Sequence, residues 1–442
     1  MLTSPSSARA ALVAIGLASL AIVASADQPA LEAQVRERSA AVESKLIAWR
    51  RDLHQHPELG DQETRTPALV AEHLRTLGLE VRTGVARTGV VGILKGARPG
   101  RCVALRADMD ALPVKEPAGL PFASTAKGMY DGKEVDLMHA CGHDAHTSML
   151  VAAAEVLTGM KADLPGTIVF MFQPAEEGSS VVSPSSGKSW GAKLMLEEGL
   201  FDQTRPAAVF GLHVMVGPAG QIMYHSGPAL ASSDELQITI TGRQGHGGMP
   251  WNAIDPVTTS ALVIAGLQTV VSRRTDLTAS PAVVTIGTIN GGTRFNIIPE
   301  SVRMTGTIRT YDERVRDQVH RDVRLTAEKI AESASAKANV VINRMYDTTV
   351  NDEALTARML PVLKRVTDGR IVQIPQTGAS EDFSYFAKAT PGLFVFLGIT
   401  PLDQDPAKAA PNHSPSFFID ESALVVGTRT LATLAVNFLA SD

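Results

Sequence analysis

Four short apolar runs rich in β-branched residues, at 101–106, 167–172, 207–212 and 393–397, constrain the fold of this chain more than any other feature. Each has the length and composition of a buried strand. Helical patterns such as the alanine-rich 147–157 lie between them, and strands alternating with helices build a largely parallel sheet. Sheets of that kind gather their sites just beyond the carboxyl ends of the strands. Three of the runs lead directly into reactive side chains: the first to Asp108 and Asp110, the second to Glu176 and Glu177, the third to His213. A single carboxylate at a strand end is equally well explained as a helix N-cap or a solvated charge. A whole set arriving at strand ends predicts that residues distant in sequence converge on one site.

The stretch Met138-His139-Ala140-Cys141-Gly142-His143-Asp144-Ala145-His146 lies after the first run, and residues 173–178 (QPAEEG) end the second. Thiolate, imidazole and carboxylate are the donors that borderline divalent cations such as zinc accept. A carboxylate beside a ligand carboxylate is also a natural general base. Cys-x-His alone is a weak motif, and its weight comes from where the other candidates fall.

Residues 51–60 (RDLHQHPELG), 106–113 (RADMDALP), the Cys141 stretch, 173–178, 211–214 (GLHV), 242–250 (GRQGHGGMP) and 378–383 (GASEDF) follow one another in order. Together they closely resemble the amidohydrolase branch of the aminoacylase/carboxypeptidase dinuclear metallopeptidases, which includes hippurate hydrolases, N-acyl-amino-acid amidohydrolases and plant auxin-conjugate hydrolases. The likeness extends over nearly everything after residue 40. It implies an α/β fold: a zinc-peptidase-like catalytic domain with a mixed, mainly parallel sheet, and an inserted α+β lid that also serves dimerisation.

The resemblance further implies two divalent metal ions per subunit (zinc, manganese, nickel or cobalt), held by Cys141, His143, Glu177, His213 and His413, with Cys141 bridging. Glu176 becomes the general base. His246 stabilises the oxyanion, in similar enzymes often in the neighbouring subunit's site, and Asn296 and Arg309 hold a substrate carboxylate. Asp108 is expected to orient one metal ligand without touching metal. The implied substrate is an N-acyl amino acid or similar small conjugate, the alternative being a peptide cleaved by an exported dipeptidase or carboxypeptidase with the same machinery. A homodimer or higher homo-oligomer is implied.

Residue chemistry agrees with these roles. A thiolate can bridge two cations, which deprotonate it outright, and a guanidinium matches a carboxylate bidentately, although Arg309 could equally make a surface ion pair. His413 lies in the turn-like 411–415 (PNHSP). His139 and His146 receive no role, and Asp144 reads equally well as the N-cap of the following helix. A cysteine hydrolase built on Cys141 would need an adjacent histidine and no metal, and a periplasmic binding protein has no use for paired glutamates at a metal.

The chain has 442 residues and a net charge of -5, with scattered Lys and Arg and only 5% aromatics, which argues against a nucleic-acid partner. Residues 1–26 read as a secretory signal peptide: Arg9, an apolar core at 10–23, and Ala24-Ser25-Ala26 as the cleavage site. The apolar run is shorter than the roughly 20 residues a span needs, and no second candidate span is expected. The mature enzyme is therefore expected to be exported, periplasmic in a Gram-negative source and otherwise secreted. Cys102 with Cys141 is the only intramolecular disulfide available, but Cys102 reads as a small buried strand residue and Cys141 as a ligand.

The expected division is 27–226 for the first part of the catalytic domain, 227–343 for the lid and 344–442 for the second part. Helices are predicted over 31–49, from Thr66-Pro67 to Gly78, over 255–273 and over 313–334; alternating strands are predicted over 234–241, 282–289 and 302–308. Residues 179–189 read as a serine-rich flexible loop and 130–136 as an insertion, both departures from the relatives' pattern.

Overall fold

The computed structural model describes residues 8–183 and 186–440, with side chains from Gln28 onward within them. The side chains of the leader expected over 1–26 lie outside the described residues. In chain order come α1 (Ala8–Gln55), α2 (Arg65–Thr76), β1 (Glu80–Val85), β2 (Gly89–Lys95), β3 (Arg98–Asp108), α3 (His143–Thr158), β4 (Pro165–Gln173), β5 (Val209–Pro218) and β6 (Ile222–Tyr224). The chain then builds a separate sheet from β7 (Ser233–Thr241), β8 (Ala282–Asn290), β9 (Ser301–Thr310) and β10 (Lys337–Tyr346), with α4 (Pro256–Thr269) and α5 (Glu313–Ser333) between its strands. It returns through α6 (Glu353–Val366), β11 (Ile371–Gln373), β12 (Gly392–Thr400) and α7 (Leu424–Ala440).

The large sheet runs β1-β2-β4-β3-β5-β12-β6-β11. Its central four strands, β4, β3, β5 and β12, are mutually parallel and contain the four apolar runs. They read as continuous apolar stretches because both faces are covered. Phe170 and Phe172 of β4 pack into the cluster with α1, α3 and α7, while Val169 and Met171 pack into the opposite cluster with Phe383 and Phe386. By length and composition the segment Glu421–Ala440 could cross a membrane, contrary to the expectation of no second candidate, but 83% of its window is buried in the fold. It is the core helix that a thick α/β layer requires.

The smaller sheet is antiparallel in the order β8-β9-β7-β10, with α4 and α5 packed through Val263, Leu267, Val319 and Val323. Asp255 caps α4 as its Asp-Pro start predicts, accepting from the N–H groups of Val257 and Thr258. The start of α2 differs from expectation: Thr66 lies inside the helix, and the Glu58 carboxylate accepts the N–H groups of Thr64, Arg65 and Thr66. A long carboxylate from the preceding loop thus satisfies donors that a local cap would have taken. Residues 130–136 fall in a hairpin, Lys127–Tyr130 against Lys133–Asp136, turning at Asp131-Gly132 with φ of 49° and 73°.

Candidate active site

Beyond the ends of the parallel strands, Cys141 Sγ lies 3.4 Å from His213 Nε2. Donor atoms of Cys141, His143 and His213 fall within 4.8 Å of one another, and so do those of Cys141, Glu177 and His413. His143, Glu176 and Glu177 form a third such group. The five expected ligands and the expected base therefore converge, and the first two triads share the thiol.

Each donor is held from behind. Gly142, at φ 93°, turns the chain into α3, and a Cβ there would come 2.3 Å from Val214 Cγ2. His143 Nδ1 lies 3.2 Å from Asp110 Oδ1, leaving Nε2 buried without a partner. His213 Nδ1 donates to the Val214 carbonyl at 2.7 Å, which leaves the Nε2 lone pair facing Cys141 Sγ. His413, at φ 70°, has its N–H on the Ala140 carbonyl, and Asn412 donates to the carbonyls of Cys141 and Val214. His413 Nε2 is 2.9 Å from Glu177 Oε1, yet that oxygen has no partner in hydrogen-bonding geometry.

Asp110 is the acceptor the sequence reading leaves without a role. Its Oδ1 takes the Glu176 N–H at 3.0 Å and its Oδ2 the Glu177 N–H at 2.9 Å, in addition to the His143 contact. Asp108 sits 3.8 Å from His143 and instead bonds His146 Nδ1 at 2.6 Å, whose Nε2 accepts the Val214 N–H. It therefore steadies the strand segment beside His213. Buried Arg106 ties Asp108, Gln173, Glu381 and Asp382 together. Asp144 is not an N-cap: it lies in the first turn of α3, buried, bonded to Arg50 and His54. An α-left-handed glycine makes the helix start, so the carboxylate is free to pair with cations from α1. His139 is fully buried with neither nitrogen partnered, and burial drops its pKa to about 3.

The electrostatics ask for cations. Burial, then Glu177 and Glu176, push the Cys141 thiol well above its usual range, and burial with Glu381 and Glu177 does the same to Glu176. Burial opposes protonation of His143, but Asp108 and Asp110 outweigh it and raise the pKa to about 10. Packed carboxylates, a thiol, two histidines whose Nε2 atoms face the cluster and orphaned atoms at His143 Nε2 and Glu177 Oε1 fit divalent metal.

The cluster opens into a cavity of about 410 Å³, whose lining includes apolar Met215, Leu230 and Phe396 and, from β9, Arg309. Arg309 Nη1 donates to Ser380 Oγ at 2.6 Å, and burial lowers its pKa. His246 and Asn296 do not line that cavity. They sit together where Gly245–His246 pairs with Ile297–Ile298, His246 exposed and its Nδ1 accepting the Gly248 N–H. Exposed Met249, Trp251 and Phe295 lie in the same loops. Both cysteines are free, Cys102 half-buried rather than buried as expected.

Among supporting groups, Asn412 and Asp110 fall within recognised motifs but receive no role from them. Glu63, which accepts the Ala175 N–H at 3.0 Å, carries no local signal.

Residues 104–437 match the family model described as Peptidase family M20/M25/M40. The chain is 38% identical over 411 residues to thermostable carboxypeptidase 1 of Saccharolobus solfataricus, covering 92% of this chain and 98% of the relative. It is 37% identical to an N-acetyl-L-cysteine deacetylase of Bacillus subtilis, covering 91% and 90% respectively. A solved dinuclear metal-binding peptidase of the M20 family from Bacillus subtilis superposes with a TM-score of 0.73 at 33% identity, covering 90% of this chain and 99% of that one. With that match and a cluster of donors built for cations, the chain belongs to peptidase family M20/M25/M40 and is a metal-dependent amidohydrolase.

Proposed function

We propose that the protein cleaves the amide bond of N-acyl amino acids or similar small conjugates, and that Cys141, His143, Glu177, His213 and His413 would hold two divalent ions, Cys141 belonging to both donor groups. Zinc, manganese, nickel and cobalt all suit this donor set. The observation that carries the reading is the pair of donor triads sharing Cys141, with Glu176 beside them and in neither. When bound, the cations supply Lewis acidity that acidifies a water and polarises the amide carbonyl. Glu176 takes the proton of the attacking water and returns it to the leaving amine nitrogen. Arg309 faces the same cavity and is suited to the carboxylate of the amino-acid product.

His246 is assigned to the developing oxyanion and Asn296 to the substrate carboxylate, both in the site of a neighbouring subunit. Their absence from this chain's cavity lining and the exposed Met249, Trp251 and Phe295 around them support a homodimer or higher oligomer in which residues 227–343 act as lid. Export through the 1–26 leader, to the periplasm or outside the cell, belongs to the same proposal. A carboxypeptidase or dipeptidase is the second reading, favoured by the 38% identity to a protein named as a carboxypeptidase.

The test is metal analysis with a hydrolysis screen of N-acyl amino acids against dipeptides, run on wild type, Glu176→Gln and Glu177→Gln. Glu176→Gln should keep its metal and lose turnover by about 10²–10⁴-fold, the usual contribution of general acid–base assistance. Glu177→Gln should lose metal first. Full turnover in metal-loaded Glu176→Gln would refute the base assignment, and preference for dipeptides would move the protein to the second reading.

A further inference from the structure

We propose that Tyr346 is a positioning residue that ties the seating of the lid to the alignment of the Glu176–Glu177 turn. The proposal rests on Glu176 being the general base. The turn is gripped at successive peptide groups. Glu63 takes the Ala175 N–H, and Asp110 takes those of Glu176 and Glu177, all from the catalytic side. The Glu176 carbonyl is held differently: the Tyr346 hydroxyl donates to it at 2.5 Å. Ala175 adopts a φ of 51°, so this turn is held in a conformation that its own sequence does not favour.

Tyr346 is the last residue of β10 and lies past the expected lid boundary at 343, but its backbone pairs into the smaller, lid sheet. It pairs with Ser233 of β7, and its carbonyl accepts from Arg316 of α5 at 3.0 Å. The Arg316 guanidinium, fully buried, also binds Asp234 at the start of β7 and Asp347 just after β10. One residue therefore has its main chain fastened to the lid and its hydroxyl fastened to the base-bearing turn. Arg309, on β9 of the same sheet, faces the catalytic cavity. With the lid seated as it is here the Tyr346 hydroxyl is on the Glu176 carbonyl, and a tilted lid would withdraw it. The Trp190 indole nitrogen lies 3.5 Å from the same hydroxyl, which makes the end of the serine-rich loop a second wall of this joint. Burial keeps the phenol protonated, as a donor must be.

Tyr346→Phe removes the hydroxyl and little else. Tyr385→Phe is the control, because the Tyr385 hydroxyl bonds the Met345 carbonyl on the same strand without touching the turn. At saturating metal, Tyr346→Phe should lower kcat by about 10–100-fold, the scale of a misplaced catalytic group, with KM within about threefold. Metal stoichiometry should be unchanged, and amide hydrogen exchange at Glu176 to Gly178 should quicken. Tyr385→Phe should keep kcat within about threefold and leave that exchange alone. A wild-type kcat in Tyr346→Phe, or equal losses in both variants accompanied by equal falls in Tm, would overturn the proposal. Glu176→Gln, measured alongside, separates the failures: if it remains active the base reading falls, and if it is dead while Tyr346→Phe is normal only the positioning role falls.

Discussion

Asp110→Asn should weaken metal binding by about 10–100-fold while leaving the fold intact. The magnitude follows from what the carboxylate holds. Its two oxygens are shared among two backbone N–H groups and His143 Nδ1, two of these contacts buried and that to Glu177 partly so. Asparagine offers one oxygen and one amide group. With the oxygen in place of Oδ1, the amide faces the Glu177 N–H; flipped, it faces both His143 and the Glu176 N–H. In either orientation at least one of these donors meets another donor. A charge-assisted hydrogen bond contributes about 1.5–3 kcal/mol, and at about 1.4 kcal/mol per decade that is one to two decades in affinity. Replacing the partner that orients a ligating histidine falls in the same range, about 10–100-fold. A chelator-competition titration gives the metal Kd directly, with kcat measured at saturating metal and Tm followed in parallel. Asp108→Asn is the comparison, since Asp108 reaches His143 only at 3.8 Å and acts on His146. Unchanged affinity in Asp110→Asn together with a decade or more lost in Asp108→Asn would refute the assignment and return the orienting role to Asp108.

If His246 serves a neighbouring site, His246→Ala should lose about 10²–10³-fold in kcat with metal unchanged. Mixing it with Glu176→Gln under subunit exchange should restore activity, and no recovery despite demonstrated exchange would confine each lid to its own chain. Glu63 offers a pH test, because burial and then Asp110 raise its folded pKa to about 8 from an ordinary 4.5. The unfolded chain releases this proton first, so the group makes stability fall as pH rises from 4.5 to 8 and level off above. Urea midpoints of Glu63→Gln, which cannot ionise, should match wild type near the bottom of that window and pull ahead toward pH 8; a constant difference would show that Glu63 does not titrate there.

Burial on both faces made the centre of the fold legible. β3, β4, β5 and β12 each carry an uninterrupted apolar run because α1, α3 and α7 cover one face and the Phe383 cluster the other. The Asp caps of α4 and α5 are local, each carboxylate reaching N–H groups two and three residues on. Strand β10 carries no such mark. As an edge strand with Asn339, Asn343 and Arg344 breaking its apolar alternation, it gains its identity from pairing with β7 rather than from composition. The cap of α2 and the partners of Asp144 were hidden for a related reason: Glu58 and Arg50 reach them from other segments, and a residue type does not announce where its side chain is sent.

The two aspartates after β3 show where legibility ends. Asp108 and Asp110 are two residues apart, so a strand continuing through both would point them the same way and make them interchangeable on paper. β3 stops at Asp108. Asp108 therefore keeps the pleat and faces α3, where His146 takes it, with Arg106 of its own strand on the other oxygen. Asp110 is beyond the last residue paired with β4, just where Ala111 turns to pair with Leu59, and its carboxylate reaches over to the turn after β4. That turn ends one strand away, with Asp108 in register with Gln173, so the loops leaving the two strands start side by side. Register between β3 and β4, rather than anything in RADMDALP, decides which aspartate meets His143 and both glutamate N–H groups. The ligand set could be named from the order of its motifs, whereas the choice between its two supporting carboxylates depends on the residue at which one strand lets go of its neighbour.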